Sequence, residues 1–121
     1  MRSPREVVEL YNHELWNKRR YELAEELIAE TVVRHEVGAV RTLTFDQARQ
    51  RVVDTWNKVQ HLEFTLLKVI ADDELVSIVY ECHTTPMQGH ETVTSSIEVY
   101  RVVDGRICEV WNVAYAPGSW R

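Results

Sequence analysis

The feature that most constrains the fold is a change in residue type near residue 60. Four runs beyond that point are rich in β-branched and aromatic residues, which favour strands. These runs are "HLEFTLLKVIA", "ELVSIVYECHTT", "ETVTSSIEVYRVV" and "RICEVWNVAYA". They are separated by "DD", "PMQG" and "DG", and the last of these is a strong signal for a hairpin turn. Four consecutive long strands joined by tight turns predict an antiparallel meander.

Two stretches before residue 60 begin with helix-capping signals. Ser3 and Glu6 have the spacing of a capping box, and Pro4 suits the first helical position. This predicts a helix through "SPREVVELYNHELWNK", in which apolar residues recur at helical spacing. Thr44 and Gln47 form a second capping box and predict another helix through "TFDQARQRVVDTWNKV".

Two shorter elements are predicted between these helices. The run "YELAEELIAE" places leucine and isoleucine on one side of a helix, and "TVVRHEV" suits a short strand. Three helices that are segregated from an antiparallel sheet predict an α+β fold. A length of 121 residues suits one domain, which we expect to span residues 1–121.

The charge and the apolar pattern argue against some classes of protein. The formal net charge of −5 argues against nucleic-acid binding, which needs a basic surface. The basic residues Arg19–Arg20 and Arg49–Arg51 are predicted to lie at solvated helix edges. No apolar run approaches the ~20 residues of a membrane span, and "MRSPREVVEL" lacks the apolar stretch of a signal peptide. We therefore expect a cytoplasmic protein with no membrane partner, in which Cys82 and Cys108 are reduced core or interface residues.

Side chains alternate between the two faces of a strand. In the second long strand the mixed set is Leu75, Ser77, Val79, Glu81 and His83, and the apolar set is Val76, Ile78, Tyr80 and Cys82. The helices could pack on the apolar face and leave the mixed face exposed to solvent. Alternatively, the mixed face could curve around a pocket closed by the helices, and the apolar face could be buried against another subunit. The pattern alone does not choose between these arrangements.

A wider comparison favours the second arrangement. The helical opening "VVELYNHELWNKRRYELAEELIAETVVRHE", the segment "IEVYRVVDGRICEVWNV" and the order of elements resemble the nuclear-transport-factor-two-like superfamily, and within it the SnoaL-like polyketide cyclase group. This resemblance covers nearly the whole chain. It implies three N-terminal helices packed in a strongly curved, mostly antiparallel sheet, which together form a cone-shaped α+β barrel with a deep cavity. It also implies a homodimer through the convex face of the sheet.

The resemblance also implies site residues. In similar ketosteroid isomerases, the segment matching "VVRHEVG" carries the carboxylate that moves the proton, and His35 takes that position. The candidate catalytic residues are His35, Glu81 and Asn112. The candidate ligand-binding residues are Tyr11, Trp16, Val79, His83, Ser96 and Glu98.

Two departures from the relatives bear on the chemistry. The acid–arginine–acid set of limonene-epoxide hydrolases falls on Glu81, Val79 and Asn112, and only Glu81 is acidic. The missing arginine argues against epoxide hydrolysis by that route. SnoaL-like cyclases often carry an aspartate where this chain has Asn112, and an asparagine cannot transfer a proton but can donate a hydrogen bond to a developing oxyanion.

The predicted function is acid–base chemistry on a small hydrophobic molecule. A histidine titrates near neutral pH, and burial can raise the pKa of a glutamate toward it, so His35 and Glu81 would suit isomerisation, dehydration or cyclisation. Neither a cofactor nor a metal is expected. Alternatively, His35 and Glu81 bond to each other and only brace the fold, the protein binds an apolar ligand without turnover, or the fold serves only as a dimerisation unit. Trp120 near the C-terminus would cover the cavity mouth, contact a neighbouring subunit, or fray.

Overall fold

The chain begins with a capped α-helix that continues as a π-helix. A computed structural model describes residues 1–121. Helix α1 spans Pro4–Leu10 and continues without a break as a π-helical segment, Tyr11–Trp16. The Ser3 hydroxyl accepts a hydrogen bond from the Glu6 backbone, and the Glu6 carboxylate accepts one from the Ser3 backbone. The predicted capping box is therefore confirmed.

The second helix is shorter than predicted. A 3-10 turn, Tyr21–Leu23, leads into α2, Ala24–Leu27, and the chain becomes extended at Ile28. Strand β1 follows directly as Ile28–Glu36, so the prediction of helix through residue 30 is wrong. The extended form wins here because it buries Ile28 and gives β1 a partner strand at the far end of the sequence.

Strand β2, Ala39–Thr44, forms a hairpin with β1 that the sequence did not predict. It runs directly into α3, Phe45–Trp56. The reciprocal bonds between Thr44 and Gln47 confirm the second capping box. Helix α3 buries Ala48, Val52 and Trp56 against the sheet, as the four-residue spacing predicts.

Four long strands make up the rest of the sheet. They are β3, Val59–Asp72; β4, Leu75–Pro86; β5, Thr92–Val103; and β6, Arg106–Asn112. Each pairs antiparallel with the next, which confirms the predicted meander. Asp104 and Gly105 between β5 and β6 have φ values of 52° and 76°, the left-handed pair that a tight hairpin turn requires. A short strand, β7, Ala116–Pro117, pairs with the start of β5.

The order of strands across the sheet is β2-β1-β6-β5-β4-β3, and β1 lies parallel to β6. The edge strands β2 and β3 do not pair with each other, so the curved sheet is open. Register shifts interrupt three of the pairings, and such bulges increase the local twist and bend of a sheet. The helices pack inside this curve, which confirms the predicted cone of α+β class. No helix in the structure has the length and apolar character needed to cross a membrane.

The concave face of the sheet carries both apolar and polar side chains. The β4 residues Val76, Ile78 and Tyr80 are almost fully buried against the helices. Across β5, Ile78 pairs with Glu98 and Tyr80 with Ser96, and directly paired side chains share a face. The apolar set of β4 therefore faces inward together with Ser96 and Glu98 of β5, and the mixed set of β4 faces outward.

Candidate functional site

A cavity of about 260 Å³ lies between the helices and the concave face of the sheet. Aromatic side chains make up much of its wall: Tyr11, Trp16, Phe64, Tyr80, Tyr100 and Tyr115. A shallower depression beside it shares Arg34, Arg51 and Tyr115 with the cavity. The cone therefore holds an aromatic pocket beside a more open depression.

Glu98 supplies the one carboxylate in the wall of this cavity. It comes from β5 and is 7% exposed. Asn112 on β6 donates a hydrogen bond from Nδ2 to Glu98 Oε2, and Nη2 of Arg34 on β1 lies 3.8 Å from the same oxygen. These three residues form what we call the Glu98 cluster. Because β1, β6 and β5 are neighbours in that order, the three side chains converge although they are distant in sequence.

Two arginines face the cavity with few partners. Arg34 is 6% exposed, and its Nε atom has no hydrogen-bond partner. Arg51 comes from α3 and places its guanidinium carbon 5.8 Å from the centroid of the Trp16 ring. Burial alone would lower the pKa of Arg51, but Tyr11 and Glu98 outweigh it and raise that pKa overall. The Arg51 guanidinium is therefore charged at neutral pH.

The tyrosine hydroxyls form the remaining polar part of the wall. Burial, with the nearby charge of Glu98, raises the pKa of Tyr80 and Tyr100 and raises the pKa of Tyr115 to about 12. The Tyr80 hydroxyl donates to the Tyr115 hydroxyl over 3.1 Å. Neutral phenols are hydrogen-bond donors, so they can support negative charge on a ligand oxygen. Together with Glu98 as a proton acceptor, the site has the groups that acid–base chemistry needs.

Some residues predicted from the sequence do meet at this site. Tyr11, Trp16 and Glu98 line the cavity, and Asn112 lines the shallower depression while it holds Glu98. Ser96 is buried on the concave face, where its hydroxyl bonds to the backbone carbonyl of Val113 over 3.3 Å rather than facing the cavity.

His35 lies on the other face of the sheet, so its predicted position in the cavity is wrong. It pairs with Trp111 in the β1–β6 register, and the two rings stack with centroids 5.1 Å apart. Its Nε2 atom lies 2.6 Å from Glu109 Oε2. The hydrogen bond from His35 is the main cause that lowers the pKa of Glu109. The adjacent residue, Arg34, is the one that faces inward.

Glu81, His83 and Val79 also lie on the convex face, and the prediction that they border the cavity is wrong. The Glu81 carboxylate is fully buried because the C-terminal segment folds over it. It accepts hydrogen bonds from Ser119 Oγ, the Trp120 backbone and Arg121 Nη2. His83 adds a contact of 3.2 Å to Glu81. Glu81 and His35 do not bond to each other, because His35 bonds to Glu109 instead.

These bonds make Glu81 an ionised anchor. The bonds from Arg121 and Ser119 are the largest causes that lower its pKa, to about 2. The indole nitrogen of Trp120 donates to the backbone carbonyl of Tyr80 over 3.1 Å. Trp120 is therefore held on the convex face, with half of its surface exposed, and does not cover the cavity.

Sequence reasoning missed Arg34 and Arg51. The prediction that Arg51 lies at a solvated helix edge is wrong, whereas Arg19 and Arg20 are exposed as expected. One signal was available for Arg51, because it follows Ala48 by three residues, on the buried side of α3. For Arg34 the available signal was the alternation of side chains along a strand. Arg34 and His35 are adjacent on β1, so only one of them can face inward.

Comparison with known proteins agrees with this architecture. The SnoaL-like domain profile matches residues 7–110. No curated protein matches the chain in sequence. A SnoaL-like polyketide cyclase from Agrobacterium tumefaciens is 14% identical with a TM-score of 0.81, and the alignment covers 96% of this chain and 93% of that one.

Two further solved structures have the same fold. A candidate polyketide cyclase from Acidithiobacillus ferrooxidans is 21% identical, with a TM-score of 0.79 over 93% of this chain and 88% of that one. An LEH-like epoxide hydrolase from M. tuberculosis is 14% identical, with a TM-score of 0.78 over 93% and 82%. Such identities establish a common fold and leave the activity open. The match over residues 7–110 shows that the chain belongs to the SnoaL-like domain family.

Proposed function

We propose that this protein is a cofactor-independent acid–base enzyme of the isomerase, dehydratase or cyclase type. Its substrate is a small hydrophobic molecule bound in the cavity of the cone. The observation that carries the proposal is the position of the Glu98 carboxylate. It is buried and lines a cavity whose other walls are aromatic and rich in hydrogen-bond donors. The likeness to polyketide cyclases supports the same class of chemistry.

In the first step, Glu98 takes a proton from a carbon next to a substrate carbonyl. The electron pair of that C–H bond moves toward the carbonyl oxygen and forms an enolate. The neutral phenols of the wall stabilise the new negative charge, because fixed hydrogen-bond donors need not reorganise as that charge develops. Glu98 then returns the proton to another carbon or to the oxygen. Asn112 holds the carboxylate in place throughout.

The size of the cavity limits the substrate. Its volume of about 260 Å³ lies just below the ~300–1,000 Å³ of pockets that hold drug-sized ligands. We therefore propose a substrate of one or two rings.

Exchange of carbon-bound hydrogen in D₂O tests the proton transfer without knowledge of the natural substrate. The probe is 2-tetralone, a two-ring ketone, and the loss of its α-proton signals is followed by NMR. We expect the protein to accelerate this exchange and Glu98→Gln to abolish the acceleration. Glu63→Gln is the matched control, because Glu63 is exposed on β3 and absent from the cavity wall. Equal exchange in the wild type and Glu98→Gln would remove Glu98 from the mechanism.

A second candidate function is ligand binding without turnover. It is favoured by Asn112, which stands beside Glu98 where a second acid would complete an acid pair. In that case 2-tetralone would bind in the cavity, and its exchange rate would equal the rate in buffer.

We also propose that a second copy of the chain covers the convex face. Ile97 and Val113 on that face are 43% and 49% exposed, and Val99 and Trp111 beside them are half-buried. Analytical ultracentrifugation of the wild type and Ile97→Asp tests this. We expect a dimer that the added charge dissociates, and a monomeric wild type would contradict the proposal.

A further inference from the structure

The buried arginines point to the kind of ligand that the cavity holds. Arg34 is 6% exposed, and its Nε donor has no partner in the protein. Its closest opposite charge, Glu98, stands 3.8 Å away and is also engaged by Asn112. Arg34 therefore has donor capacity that the protein itself does not use. Buried donors without partners are rare in folded proteins, so an unfilled donor in a cavity wall indicates a ligand acceptor.

Arg51 adds a second unneutralised charge. Its guanidinium faces the same cavity against the Trp16 ring, and no carboxylate lies within 4 Å of it. Glu36, at the rim of the neighbouring depression, is already paired with Arg41 at 3.1 Å. The wall of the cavity thus carries two guanidinium groups and the single carboxylate of Glu98. One positive charge is left for a ligand to balance.

We propose that the ligand is a one- or two-ring aromatic acid whose carboxylate binds at Arg34 and Arg51. This inference rests on the proposed function only in placing the ligand in the same cavity. The planar guanidinium fork matches the two oxygens of a carboxylate, and charge-assisted bonds of this kind are the strong ones. The aromatic rings of the ligand contact the aromatic wall around Trp16 and Tyr100.

Calorimetric titration at neutral pH and low salt tests this with two probes of one shape. They are 2-naphthoate and 2-naphthamide, which share their rings and differ in charge. We expect the wild type to bind naphthoate about tenfold more tightly than naphthamide. Arg51→Gln should remove most of that preference, because it weakens the binding of naphthoate far more than the binding of naphthamide. Arg34→Gln should do the same, but Arg51→Gln decides the matter if the Arg34 variant does not fold.

Two further variants sharpen the result. Glu98→Gln should raise the affinity for naphthoate, because it removes the negative charge that competes for Arg34. Arg20→Gln is the matched control, since Arg20 is exposed and pairs with Glu14 and Glu22 far from the cavity. Its affinities should equal those of the wild type.

The proposal is overturned if naphthoate and naphthamide bind equally, if neither binds, or if the preference survives in Arg51→Gln. These outcomes are separate from those of the exchange experiment. A preference for naphthoate without any 2-tetralone exchange would support the acid site and contradict catalysis. Exchange that depends on Glu98, without a preference for the anion, would do the reverse.

Discussion

Arg34 and Glu98 hold opposite charges 3.8 Å apart in the interior, although their strands are separated by β6. Their side chains are 7% and 8% exposed. Neither charge is well hydrated, so each depends on the other more than a surface pair would. The pair is therefore a structural element as well as part of the candidate site.

This dependence can be measured with a double-mutant cycle. Replacing Glu98 with Leu leaves Arg34 buried without a carboxylate, and we expect the free energy of unfolding to fall by about 3 kcal/mol. Arg34→Met should cost a similar amount, because it strands the Glu98 charge. The double variant should lose clearly less than the sum of the two. Urea unfolding gives all four values, and simple additivity would show that the two charges are independent.

The Glu81 anchor predicts a dependence of stability on acid. Its folded-state pKa of about 2 lies below the ordinary glutamate value of about 4.3. The ionised carboxylate therefore stabilises the fold above that ordinary value, and the contribution is lost as the pH falls through about 2. Glu81→Gln should lower the urea midpoint at neutral pH, and its difference from the wild type should shrink toward about pH 2.

The C-terminal segment offers an independent signal of the same event. The indole N–H of Trp120 bonds to the Tyr80 carbonyl only while the segment is docked. We expect its NMR resonance to move in Glu81→Gln and to stay unchanged in the control Glu63→Gln. An unmoved Trp120 resonance in the Glu81 variant would show that other contacts hold the segment.

His35 should matter little for ligand binding. It stacks on Trp111 and bonds to Glu109 on the convex face. We expect His35→Gln to keep the 2-tetralone exchange and to lower the free energy of unfolding by at most about 1 kcal/mol, because an ion pair that solvent reaches contributes little. Exchange and urea unfolding measured on the same sample check both parts. Loss of exchange in a stably folded variant would return His35 to the mechanism.

The cap of α3 should control the stability of the helix that carries Arg51. Thr44 accepts a hydrogen bond from the Gln47 backbone over 3.2 Å. Thr44→Ala removes this acceptor and should cost about 1 kcal/mol. Thr42→Ala on β2 is the control, because Thr42 is exposed and caps no helix. Thermal unfolding of both variants should show a clear loss for Thr44→Ala alone.

Features encoded in neighbouring residues could be predicted from the sequence. The capping boxes at Ser3 and Thr44 need only residues three apart, and the turn at Asp104–Gly105 needs only two adjacent residues. These local signals, together with the strand-type runs after residue 60, predicted the α+β class, although they did not predict β2. The end of α2 could not be found in this way, because Ile28 fits a helix by spacing and a strand by its branched side chain.

The assignment of residues to the two faces needed long-range information. In β4 the polar set was predicted to face the cavity, but Glu81 is buried from outside by a segment that lies about 40 residues further along the chain. The true wall uses Tyr80 and Tyr100, whose hydroxyls are polar but whose rings look like core in the sequence. For the same reason His35 was predicted to face the cavity, whereas the adjacent residue Arg34 is the one that does so.

The parallel pairing of β1 with β6 limits the order in which parts of the protein can fold. His35 and Glu109 are 74 positions apart, and contacts between such distant residues form late because a long loop must close first. During synthesis, the helices and the β1–β2 hairpin leave the ribosome well before β6 exists. Until β6 is made, β1 lacks the neighbouring strand that carries Asn112, so the site around Arg34 is incomplete. A nascent chain thus forms its helices and the β1–β2 hairpin first, and completes the candidate site only after β6 has been made.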